Sequence, residues 1–117
     1  LSLADAGSTS TAQASVAEVA AELQKLRYVH TTLERELVTL KSRLAEVSEA
    51  RRVLSAGIAR RCFRFLGGLL IEVSKEEAMK YLEEEEEALK IRIDTLEKER
   101  TKTLEKIREL ERNLKVV

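Results

Sequence analysis

The sequence predicts a mainly α-helical fold, a long antiparallel two-helix coiled coil joined by a single β-hairpin. Three observations predict it. Apolar residues recur at alternating steps of three and four in both halves of the 117-residue chain. A short aromatic and aliphatic stretch around Gly67 and Gly68 interrupts that period. The composition is 36% charged and 3% aromatic, with no Pro or Trp. Such a chain cannot fill a compact core of ordinary depth, but it suits long helices that bury narrow seams.

Residues 1–15 are small and polar, run through Gly7, Ser8, Thr9, Ser10 and Thr11, and carry no apolar period, so they are expected to form a flexible leader. An N-terminal coiled-coil helix is expected over 16–56. Its seam runs Val16, Val19, Leu23, Leu26, His30, Leu33, Leu37, Leu40, Leu44, Val47, Arg51, Leu54, and only His30 and Arg51 break its apolar character. The hairpin element occupies 57–74. Gly67-Gly68 has the form of a two-residue hairpin turn, where glycine takes positive φ without steric cost. That turn sets Leu66 against Leu69, Arg64 against Ile71 and Cys62 against Val73 on one face, with Phe65 against Leu70 and Phe63 against Glu72 on the other.

The second helix is expected over 75–117. Ser74 followed by Glu77 has capping-box spacing, which places the helix start near Lys75. Its seam runs Met79, Leu82, Glu86, Leu89, Ile93, Leu96, Arg100, Thr103, Ile107, Leu110, Leu114 and Val117. Because the hairpin reverses the chain, the helices run antiparallel. Pairing Leu54 with Met79 then sets Leu37 against Leu96, Val47 against Glu86, Leu33 against Arg100 and His30 against Thr103, with Arg51 beside the 83–87 glutamate run. The four domain segments form one domain overall.

Apolar side chains on both faces of an isolated two-stranded hairpin, with unpaired edges, predict that other subunits complete the sheet. The oligomerisation element is therefore Cys62, Phe63, Phe65, Leu66, Gly67, Gly68, Leu69, Leu70, Ile71 and Val73.

The bulk charge excludes several classes of partner. Lys and Arg number 21, as do Asp and Glu, so no global field draws the chain to nucleic acid or an anionic membrane. Cys62 is the only cysteine and fits a reducing compartment. No apolar stretch approaches the roughly 20 residues needed to span a bilayer, and a soluble, cytoplasmic protein is expected. There is no nucleophile with a nearby base and no Gly-rich phosphate loop before a helix. No enzyme activity, no cofactor and no concave pocket are expected.

The segment from Cys62 through Val73 with the following Ser74-Lys75-Glu76-Glu77 resembles the hairpin and second-helix start of β-type prefoldin subunits, in archaea and in the β class of eukaryotes. The helix, hairpin, helix order matches over roughly residues 16–114. The α-type subunits carry two hairpins, and only one fits here. The loop over 55–61 departs from the family in being basic and lacking an acidic or Pro-containing stretch.

The resemblance implies a hetero-hexamer of α-type subunits and further copies of this chain, whose hairpins form intersubunit β-barrels. It implies an ATP-independent chaperone that holds unfolded client proteins at the coil tips and delivers them to a group II chaperonin. On that reading the client-binding residues are Val16, Val19, Leu23, Leu26, Ile107, Leu110, Leu114, Val116 and Val117. They lie where helix ends fray and apolar side chains become available, and several weak tips acting together gain avidity. The bland alternative is that they only zip the coil. For the whole chain, the alternative is a structural coiled-coil adaptor that assembles scaffolds through its hairpin.

Other residues carry a functional reading beside a structural one. His30 has no second His or ligand cluster near it and reads as a polar seam layer that fixes register rather than a metal ligand. Cys62, alternating in a strand, reads as a small packed thiol rather than a redox sensor. The 83–87 glutamate run reads as a solvated face. Arg51, Arg52, Arg60, Arg61 and Arg64, near Phe63 and Phe65, are the one feature that suggests nucleic acid, but no complete nucleic-acid module surrounds them.

Overall fold

Both expected helices and the hairpin between them are present. In the computed structural model, residues 3–116 are described, with side chains over 15–114. Helix α1 spans Leu3–Ser55, strands β1 and β2 span Cys62–Leu66 and Leu69–Val73, and helix α2 spans Lys75–Val116. The strands pair antiparallel with the expected register, Cys62 with Val73 through Leu66 with Leu69. Gly67 and Gly68 take φ of 55° and 83°, the two successive positive values that a primed hairpin turn demands.

Two helix ends are set by local chemistry. Gly57, at φ 72°, closes α1: its amide donates to the Leu54 carbonyl while the Ala56 amide donates to Arg52. At the start of α2, the Glu77 amide donates to Ser74 Oγ at 3.1 Å, the N-cap half of the expected capping box. Glu76 and Glu77 in the first turn complement the positive end of the helix dipole. Helix α1 begins at Leu3, within the stretch where the sequence suggests a leader.

The chain divides into two compact units. One comprises residues 36–96 and contains the hairpin. Every seam position in it, from Leu37 to Leu54 and from Met79 to Leu96, is buried or half-buried, and Leu37, Val47 and Leu96 are all but sealed, at 1–2% exposure. Glu36 with Arg92, Glu85 with Arg43 and Glu86 with Arg51 join the two helices through ion pairs of 3.2, 2.8 and 2.9 Å. Glu36 with Arg92, Arg43 with Glu85 and Arg51 with Glu83, the last at 3.9 Å, step down α2 as they step up α1, so the helices are antiparallel and these pairs bracket the register that sets Leu37 against Leu96.

The other unit holds the remaining parts of both helices. Within it Leu23, Leu33 and Ile107 are buried, Val19, Leu26, Leu110 and Leu114 are half-buried, and Val16 is exposed. Arg27 pairs with Glu111 and Arg100 with Glu34, each at 3.5 Å, and His30 Nε2 lies 3.5 Å from the same Glu34. The polar seam layer expected at His30 is thus a His30, Glu34, Arg100 network. Such half-exposed pairs add little stability each and act mainly to fix which residues face one another.

Candidate assembly site

Among the described residues, twelve large apolar side chains are exposed, and six of them are Phe63, Phe65, Leu66, Leu69, Leu70 and Ile71. That concentration within a twelve-residue hairpin is what separates it from the scattered apolar surface any protein shows. The alternation of a strand explains it. Phe63, Phe65 and Leu70 lie on one face and Leu66, Leu69 and Ile71 on the other, and only Cys62 and Val73 at the base are half-buried. Among the described residues, neither face is covered beyond that base. Two strands also leave two edges of unpaired backbone groups.

Charges at the hairpin are organised rather than free. Arg61 donates to both carboxylate oxygens of Glu72 at 2.9 and 3.0 Å and lies 5.0 Å over the Phe63 ring. The Arg61 hydrogen bond holds the Glu72 carboxyl below the ordinary carboxylate range. Arg64 reaches out of the hairpin and stacks 3.8 Å from the centre of the Tyr81 ring on α2. Just beyond, Arg51 and Lys90 converge on Glu86, the one buried charged residue among those described. Hydrogen bonds first from Arg51 and then from Lys90 hold its carboxyl low.

These contacts account for four of the five arginines that suggested nucleic acid. Arg51 is held by Glu86 and Glu83, Arg52 by Glu49, Arg61 by Glu72, and Arg64 by Tyr81. Four of the five charges thus sit against a carboxylate or a ring rather than standing unpartnered. The 83–87 run is likewise partly absorbed, with Glu83, Glu85 and Glu86 in ion pairs.

The expectation of no concave pocket is corrected. An open concavity of about 880 Å³ lies under the hairpin, lined among others by Val53, Leu54, Phe63, Arg64 and Tyr81. A hairpin that stands off two helix ends leaves such a hollow, which sequence spacing does not reveal. Cys62 lines it as a half-buried thiol. No group of three His, Cys, Asp or Glu side chains placed to hold a metal occurs among the described residues.

At the far ends of the helices, the expected client-binding residues divide. Leu23 and Ile107 are sealed in the seam at 5% exposure, while Val19, Leu26, Leu110 and Leu114 are partly open and Val16 is open. The side chains of Val116 and Val117 lie outside the described residues. Sequence reasoning missed Tyr81, which lies off the seam and pairs with Arg64; the only signal was an aromatic in a chain that has two Tyr. It also missed Ile58, 65% exposed in the loop before the hairpin.

Comparison with known proteins agrees with this architecture. A family model described as prefoldin subunit matches residues 17–117. The prefoldin beta2 subunit from Thermococcus strain KS-1, known from a crystal structure, shares the fold with a TM-score of 0.53 and 24% identity, covering 83% of this chain and 97% of that one. No match is found among curated proteins.

Proposed function

Because the chain belongs to the prefoldin subunit family, a family of chaperone subunits rather than enzymes, we propose that it is a β-type subunit of a hetero-hexameric, ATP-independent holdase. It assembles through its hairpin with an α-type subunit and further copies of itself. Its paired helices capture unfolded polypeptides at their far ends and pass them to a group II chaperonin in the cytoplasm. The observation that carries the reading is the hairpin with both apolar faces uncovered. A ribbon of that kind is marginal alone and becomes stable when other strands cover it. The single hairpin supports the β type. Among the described residues no helix is long and apolar enough to cross a membrane.

The open Val16 and the partly open Val19, Leu26, Leu110 and Leu114 favour a client role at the helix ends, and the sealed Leu23 and Ile107 contribute when those ends fray. The test is to mix the chain and its α-type partner with a denatured client and follow light scattering. Suppression near stoichiometric ratios without nucleotide is expected, and removal of residues 110–117 should abolish it while the native mass stays hexameric. Normal assembly with no suppression would instead identify a structural adaptor, and loss of the hexamer on truncation would overturn the placing of client capture at the tips.

A further inference from the structure

The face of the hairpin made by Cys62, Leu66, Leu69, Ile71 and Val73 would be wholly apolar but for Arg64, which sits in its middle opposite Ile71. A guanidinium left standing on that face would have to be desolvated when another strand pair covered it, at a cost that opposes assembly. The structure turns it aside: Arg64 lies 3.8 Å from the Tyr81 ring centre, where its charge meets the negative face of an aromatic, and the residue as a whole stays exposed.

The same contact crosses from hairpin to helix. β2 reaches α2 through Ser74 alone, a junction tightened by the Ser74 to Glu77 cap, whereas β1 is reached through the loop over residues 56–61 with its positive-φ Gly57. The ribbon is therefore tied firmly along one strand and loosely along the other. The Arg64 stack supplies a third point of attachment, on the loosely tied strand, and three points fix a tilt where two allow a pivot.

We infer that the stacking of Arg64 on Tyr81 clears and braces one face of the hairpin, so that Leu66, Leu69 and Ile71 meet the hairpin of a second prefoldin-type chain as an uninterrupted apolar surface. The inference rests on the assembly reading above. Arg64 and Tyr81 are positioning residues on this account, acting through the face they shape.

The chain has no Trp and only two Tyr, so a Tyr28→Phe background leaves Tyr81 as its one strong near-ultraviolet reporter. In that background, R64A should collapse the Tyr81 near-ultraviolet circular dichroism and weaken hexamer formation with the α-type partner about 2- to 30-fold. Tyr81→Leu should weaken assembly alike, Tyr81→Phe should retain it, and the double variant R64A with Tyr81→Leu should be no worse than either single change. Far-ultraviolet spectra report whether each variant keeps its helices. An unchanged Tyr81 spectrum in R64A, or single effects that simply add, overturns the inference while wild-type assembly stands. A wild-type chain that stays monomeric with its partner overturns the assembly reading itself, and this inference with it.

Discussion

Leu70→Lys is expected to separate assembly from folding, because it alters an exposed hairpin side chain and no seam residue. Leu70 is 62% exposed on β2, one residue from the hairpin turn and opposite Phe65, which is 72% exposed. Fully burying a Leu side chain is worth about 1.5–3 kcal/mol, so covering the portion still open contributes roughly 1–2 kcal/mol for each subunit. Replacing it by Lys forfeits that gain and adds the desolvation of an ammonium, which its flexible stem relieves only in part by reaching for the rim. The loss recurs at every copy, and about 1.4 kcal/mol already corresponds to tenfold in affinity. At micromolar concentration with the α-type partner, the native mass should fall from that of the proposed hexamer to small species, with the helical signal at 222 nm intact. Val38→Lys provides the control, since Val38 is 67% exposed on α1 outside the seam. Should Leu70→Lys assemble normally, or Val38→Lys disassemble equally, exposure on the hairpin is not what drives association.

Four further outcomes are expected. Leu37→Ala removes a side chain sealed at 2% exposure and should cost about 2–5 kcal/mol, read as a fall in the thermal or urea midpoint; a change under about 0.5 kcal/mol would contradict the packing of the seam. Gly68→Ala meets no neighbour within 4 Å, so any penalty is conformational: about 1–2 kcal/mol for a left-handed position, partly relieved in Gly68→Asn. In a Cys62→Ser background, cysteines at Leu37 and Leu96 should cross-link on mild oxidation, whereas Leu37 with Leu89 should not. Acid should destabilise the protein through Glu86, Glu72 and Glu49, whose carboxyls are all held low by arginine hydrogen bonds, Glu86 also by Lys90. A group depressed in the folded state stabilises above its unfolded value, about 4.3 for Glu, and loses that contribution as pH falls through its lower folded value. The melting temperature should thus be flat from pH 7 to 5 and drop below about pH 4, with a shallower drop in Glu86→Gln.

Most of this architecture was legible because two of its periods are written directly in residue order. A seam recurring every 3.5 residues names its own buried face, and every seam position with a described side chain except Val16 is at least half-buried. Gly67-Gly68 fixed the strand register because so few residues accept two consecutive positive φ values. Even Glu86 was placed, since Val47 and Arg51 bracket it in the antiparallel register. The side-chain pairings were less legible. Residue order groups Arg64 with four other arginines, yet its long side chain stacks on a ring of α2, a pairing that sequence spacing does not encode. The hollow under the hairpin depends on how strands leave helix ends, which no local pattern encodes.

The antiparallel pairing also carries a consequence for biogenesis. The residues joined across the two helices are separated by 35 positions at Arg51 and Glu86, 56 at Glu36 and Arg92, and 84 at Arg27 and Glu111. Closing a longer loop costs more entropy, so the cheapest contacts adjoin the turn and each one shortens the next closure. The protein should zip from the turn outward, and on the ribosome all of α1 emerges before its mate has been made. During that interval its leucine stripe faces solvent with nothing to bind, and a nascent chain of this kind has the very surface that a holdase exists to shelter.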